Sequence, residues 1–246
     1  MKNKKITTIL AAGLLGVFAF HAPVYAQTGA QTQSAVPAQA AAVQVPSPEA
    51  QAKADAQQQK RASDWVASLQ LNDPAKEARL VNVISMHLIA IRDWYNDHPF
   101  TTVPSGIDPA TGKRLSNMDR QVIAISAMPD SIHRDLMDGL RKDLDSAQVA
   151  AILDKYTVGK VAFTLAGYKS IVPDLTPQEE AVILANLEQA REQAVDYKNV
   201  KQISAIFEIY KTKNEDYLNA NGRNWRALYK AYSEAQKAKK APKPNQ

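Results

Sequence analysis

Apolar residues return at intervals of three and four along most of the chain, the period of a helix with one face turned to a core. The clearest run is Leu175 to Gly222. Thr176-Pro177-Gln178-Glu179 predicts a helix start, with threonine as cap, proline at the first helical position and glutamate completing a capping box. Ile183, Leu184, Leu187, Ala190, Arg191 and Ala194 follow at helical spacing, and Tyr197-Lys198-Asn199 breaks the pattern. A second stripe, Ile203, Phe207, Tyr210, Asn214 and Tyr217, predicts a second arm that Gly222 ends. The spacing predicts a helical hairpin whose second arm carries polar-tipped aromatic residues.

The same signals recur elsewhere. Ser47-Pro48-Glu49 and Asp73-Pro74 are helix starts. The first helix turns apolar only at Trp65, Val66 and Leu69, whereas Leu80, Ile84, His87, Leu88, Ile91 and Tyr95 mark a strong face that ends near His98-Pro99. Phe100 to Arg114 holds two prolines and two glycines and predicts an irregular loop with its own turn at Asp108–Gly112. A loop of that length is a functional segment or a surface insertion. Helices are expected again at 117–127, from Pro129-Asp130 onward, and after the capping box Asp145-Ser146-Ala147-Gln148. Val161 to Val172 fits helix through Phe163, Ala166, Gly167 and Ser170, and Trp225, Leu228, Tyr229 and Tyr232 make a last one. No run alternates long enough for a strand. The expectation is an all-α, single-domain bundle of roughly seven to nine helices over residues 48–237, followed by a disordered basic tail at 238–246.

The start of the chain changes the setting. Lys2, Lys4 and Lys5 precede an apolar run, Ile6 to Phe20, and a small residue, Ala26, stands before Gln27. This predicts a secretory signal peptide at 1–26, too short for a membrane span with its flanks. Residues 27–47 are a low-complexity, flexible spacer. There is no cysteine, which excludes disulfides, thiolate metal sites and a lipid-modified cysteine. The expected location is therefore periplasmic or extracellular, without a lipid anchor and with no integral membrane segment after signal cleavage. The net charge of +5 includes the three signal lysines. Without them it is close to neutral, and no nucleic-acid module is present.

Candidate chemistry is sparse. No G-x-S-x-G elbow or P-loop occurs. The four histidines do not pair at metal-ligand spacing, so no metal or other cofactor is expected. His87, on an apolar face, reads as a hydrogen-bonded core residue, and His98 as the exposed one available for use. Asp93 with Asp97, and Glu192 with Asp196, share helix faces and could do acid–base work. They read instead as solvated charges balanced by Arg92, Arg191 and Lys198. Tyrosine and tryptophan are dense in the last hundred residues, among Lys211, Asn214, Arg223, Asn224 and Arg226. Aromatic faces beside polar groups suit sugar rings, and they equally suit packing between helices.

Several runs resemble one family. Asp154-Lys155-Tyr156-Thr157-Val158-Gly159, then Tyr168 and Pro173-Asp174-Leu175-Thr176, look like its successive landmarks. Ala190-Arg191-Glu192-Gln193-Ala194-Val195-Asp196 is similar to its A-R-E-x-A-M-D run. Tyr210-Lys211, Asn214 and Tyr217-Leu218 resemble its Y-K-x-R-I-N-x-Y-L run, with Thr212-Lys213 in place of arginine-isoleucine. The family is a bacterial domain of unknown function, DUF3826, found in secreted proteins of polysaccharide-degrading bacteria and suspected of binding sugars. The resemblance spans about 62–229 and implies no catalytic residue.

Together these features lead to one expectation of function. The protein is exported and helical, and it binds carbohydrate without catalysis or assists polysaccharide utilisation. The ligand-binding candidates are Arg191, Tyr210, Lys211, Asn214, Tyr217 and Trp225. Two alternatives stand beside it: a polysaccharide lyase or hydrolase using His98 and the 100–114 loop, and a chaperone-like or structural envelope protein with a protein partner.

Overall fold

The computed structural model describes residues 46–109 and 111–240. The expected signal peptide, nearly all of the spacer and the end of the basic tail lie outside these residues. Within them the chain is all-α. Nine α-helices follow in order: α1 (Pro48–Ala67), α2 (Pro74–Asp97), α3 (Asn117–Ser126), α4 (Asp130–Asp143), α5 (Ser146–Thr157), α6 (Lys160–Ile171), α7 (Pro177–Ala194), α8 (Val200–Ala220) and α9 (Trp225–Lys240). The described residues form no strand, and one isolated bridge joins Ile107 and Arg114.

Side-chain caps fix most of the helix starts. Ser47 and Asp73 accept from Ala50 and Lys76 amides at 3.2 and 3.0 Å. Full capping boxes open α3 (Ser116 with Asp119), α5 (Asp145 with Gln148) and α7 (Thr176 with Glu179). Each satisfies backbone N–H groups that the first helical turn leaves unpaired. Asn199 caps α8 through the Lys201 and Gln202 amides. The predicted hairpin is α7 and α8, joined by the 195–199 turn.

The interior has two adjoining cores. One joins α1, α2, α4 and α5 through Val66, Leu80, Ile84, Leu136, Leu140 and Ile152, all at 1% exposure or less. The other joins α6, α7, α8 and α9 through Tyr168, Ile183, Leu187, Phe207, Leu218 and Trp225. The α7–α8 turn belongs to both: Val195 packs in the first core and Tyr197 in the second. α4 approaches α2 closely at Gly139, where an added Cβ would stand 2.7 Å from both Val83 methyl carbons.

One detail departs from the sequence reading and one adds to it. In α6 the inward residues are Val161, Leu165 and Tyr168, with Val172 following at its C-cap, while Phe163 is 54% exposed. Apolar residues lie on both sides of this helix, so periodicity leaves its rotation open. Tyr168 settles it, because its hydroxyl donates to the Lys211 carbonyl at 3.2 Å and its ring tilts against Trp225 at 5.2 Å. The 100–114 loop, expected as an irregular segment, is tied to α3 at its start. Gln121 bonds the Phe100 amide and the His98 carbonyl (2.9 and 3.1 Å), and the Arg120 guanidinium donates twice to the Val103 carbonyl.

Candidate functional site: a cleft at the turn between α7 and α8

The six sequence candidates lie mostly in the interior. Asn214 is fully buried and accepts from Asn186 at 2.7 Å. Lys211 is buried with its ammonium on both Glu208 oxygens at 3.0 Å. Tyr210 and Trp225 are each 8% exposed, inside the second core. Tyr217 is partly buried against the same core. Arg191 leaves this group and reaches across to Asp154 on α5 at 3.1 Å. The structure therefore gathers five of the six on α8 and the head of α9 as packing residues, with no open aromatic platform among them.

The opening lies elsewhere. Where α3 ends, Ala127-Met128-Pro129 turns the chain into α4, and this turn faces the 195–199 turn. Between them is a cleft of about 540 Å³. Ile125, Met128, Pro129 and Tyr197 give it apolar walls, and Asp130, His133, Arg134, Gln193 and Asp196 give it polar groups. His133 and Arg134 stand in the first two turns of α4, so the restart at Pro129 puts both at the cleft.

Asp196 is the centre of its floor. One carboxylate oxygen accepts from His133 Nδ1 at 2.8 Å, the other from His87 Nε2 at 3.0 Å. A carboxylate only accepts, so both imidazole nitrogens carry protons toward it. The other nitrogen of His87, Nδ1, meets the Tyr156 hydroxyl at 3.2 Å and accepts from it in the neutral ring. Trp65 closes over Tyr156 edge-on, ring centres 4.7 Å apart. A continuous chain of hydrogen bonds thus runs from the cleft into the first core, joining α4, the α7–α8 turn, α2 and α5. His133 Nε2 lies 3.8 Å from Glu192, which also meets Arg141 at 3.4 Å.

The electrostatics follow from these contacts. Burial pushes the Asp196 carboxyl up, but the bonds from His133 and His87 more than offset it and hold the group below the usual aspartate value. The bond to Asp196 raises the His133 imidazole above its ordinary value against the opposing effect of burial. Burial pushes the Tyr156 phenol well above its own. A histidine shifted toward its charged form beside an aspartate shifted toward its ionised form, at a cleft, is the kind of perturbed pair that functional sites collect.

The sequence model of the family described as "Protein of unknown function (DUF3826)" matches residues 55–238. The chain belongs to the DUF3826 family. The matched stretch takes in three quarters of the chain and every residue of the cleft. No curated protein matches this DUF3826 chain in sequence. Among its described residues no helix is long and apolar enough to cross a membrane, and no group of three or more His, Asp or Glu is set to hold a metal ion.

Sequence reasoning placed His87 correctly as a bonded core histidine. It misplaced the other two side chains. His98 is not the open histidine: its ring stacks on Trp94 at 3.7 Å and its Nδ1 bonds the Trp94 carbonyl at 3.0 Å, closing the end of α2. His133 occupies the cleft instead. Asp196 is not a solvated surface charge, because two histidines bond it and its side chain is only 19% exposed. The signal was thin. Asp196 ends the A-R-E-x-A-x-D run, but its partners stand 63 and 109 residues away along the chain, beyond any spacing rule.

Proposed function

We propose that this DUF3826 protein is exported, binds a carbohydrate in the cleft at the α7–α8 turn, and serves polysaccharide utilisation. One observation carries the reading: the cleft sets apolar walls against hydrogen-bonding groups whose positions are fixed from behind. A pyranose ring has apolar C–H faces and a rim of hydroxyls, and a site for it needs both surfaces. Ile125, Met128 and Pro129 supply the first, and Asp196, His133, Gln193, Asp130 and Arg134 the second. The bonds of Asp196 to two histidines hold it in place before a ligand arrives, which lowers the ordering cost of binding.

The test is a glycan array followed by titration calorimetry on the chain from Gln27 onward. Saturable binding of a poly- or oligosaccharide is expected. Gln193→Ala and Arg134→Ala, both exposed changes, should each weaken it about 5- to 30-fold, on the scale of one or two lost hydrogen bonds. Binding that survives both changes unaltered places the ligand elsewhere. Export is tested separately by the mature N-terminus in the producing cell, expected at Gln27.

A further inference from the structure

His133 lines the cleft, and Glu192 stands beside it, next to the cleft's lining residue Gln193. His133 Nε2 is 3.8 Å from a Glu192 oxygen, and His133 is oriented by Asp196, which His87 and Tyr156 orient in turn. That spacing discriminates between the two ways of cutting a glycosidic bond. Hydrolysis uses two groups about 5 to 9.5 Å apart, on opposite sides of the sugar or with room for water. β-Elimination removes a proton from one ring carbon and expels the oxygen on the neighbouring carbon, so adjacent acid and base suffice where both leave from the same face of the ring, as in glucuronate and mannuronate.

We propose that the cleft is the active site of a polysaccharide lyase that cleaves a uronic-acid-containing chain, with Glu192 as base and His133 as acid. The inference rests on the carbohydrate reading above and departs from the non-catalytic expectation of the sequence. Glu192 takes the proton from C5 of the uronate, next to its carboxylate. The C–H electron pair becomes the C4–C5 double bond. The C4–O bond breaks, and its pair goes to the leaving oxygen, which takes the Nε2 proton of His133. Glu192 is then protonated and His133 neutral. Transfer of the proton from one to the other restores the starting state without water or an oxidant. Removing a proton beside a carboxylate needs a positive group near that carboxylate. Arg134, which lines the cleft and is exposed, supplies it. The 2.8 Å bond to Asp196 favours the charged form of His133, the form an acid requires. Asp196 is a positioning residue that acts through His133.

The experiment incubates the mature chain with polygalacturonate, alginate and chondroitin sulfate, and with starch as a neutral control. Two signals are read: ultraviolet absorbance of the new conjugated double bond, and new reducing ends. The expected result is both signals, in equal number, on one uronic polymer and not on starch. His133→Gln and Glu192→Gln should each lower kcat about 10²- to 10⁴-fold while the substrate still binds and the circular dichroism is unchanged. Asp196→Asn should move the alkaline limb of the pH–rate profile to lower pH, which a merely structural role would not do. Reducing ends without double bonds mean hydrolysis and overturn the lyase. A uronic polymer that binds in the cleft but yields no double bonds from pH 5 to 10 overturns it too. Binding of neutral glycans alone overturns the lyase and leaves the carbohydrate reading standing, and binding of no glycan overturns both.

Discussion

Asp196 carries two histidines, and replacing it by asparagine leaves one of them facing an N–H group in place of an oxygen. Asp196→Asn is expected to cost about 2 to 3 kcal/mol, between the loss of a charged hydrogen bond and the breaking of a fully buried ion pair. Urea denaturation measures it. The cost should depend on pH in a set direction. His133 titrates higher in the folded chain than unfolded, so its contribution is full below its unfolded value and fades as pH rises through the folded one. Asp196 titrates lower, so its contribution is full above its unfolded value and fades as pH falls through the folded one. The difference between parent and Asp196→Asn should therefore be largest between roughly pH 4.5 and 6.5 and shrink on both sides. In the variant the His133 resonance, followed by NMR, should titrate at lower pH than in the parent. Glu179 behaves as Asp196 does: the Arg223 guanidinium and the Thr176 amide pull its carboxyl down to about 2, so its share of stability fades progressively as pH falls from its unfolded value toward 2.

Two helix junctions make sharper tests than the helices themselves. Gly139→Ala would set a Cβ 2.7 Å from both Val83 methyls, near the middle of α2. Overpacking of that kind should cost about 1 to 3 kcal/mol despite the better helix propensity of alanine. Val83→Ala in the same chain should recover most of it, and thermal denaturation of the two single variants and the double shows whether they couple. Val158 joins α5 to α6 with φ at 55° and its side chain 69% exposed. A β-branched residue is strained there and contributes little packing. Val158→Gly should raise stability by about 0.5 to 1 kcal/mol in the same measurement. The sequence made the helix starts legible because each is a local contract among four residues: Ser47, Asp73, Asp145 and Thr176 all cap as their neighbours require. The rotation of α6 was not legible, because Tyr168 gains its partners from α8 and α9, which no local pattern reports. The cleft was hidden for the same reason: His133, Asp196, His87 and Tyr156 come from four separate elements.

At the scale of the molecule, α9 has the thinnest attachment. It packs on α6 and α8, anchored by Trp225 at its first position, and none of residues 233–239 in its second half is buried. Trp225→Ala should speed amide hydrogen exchange throughout α9 and cost about 3 kcal/mol, while the amides of α1 and α2 keep their protection. That pattern separates an anchor from a ligand contact, since loss of a ligand contact would leave exchange in the free protein unchanged. The loop from Phe100 to Arg114 offers something different. Arg120 and Gln121 clamp its base, Gly112 turns its tip at φ 66°, and the side chain of Lys113 is exposed there. The chain has no cysteine of its own. A single Lys113→Cys change therefore creates one thiol, on an exposed side chain just before the Ser116 cap of α3, and a fluorophore or spin label attached to it would report from one known position on a protein otherwise blank to thiol chemistry.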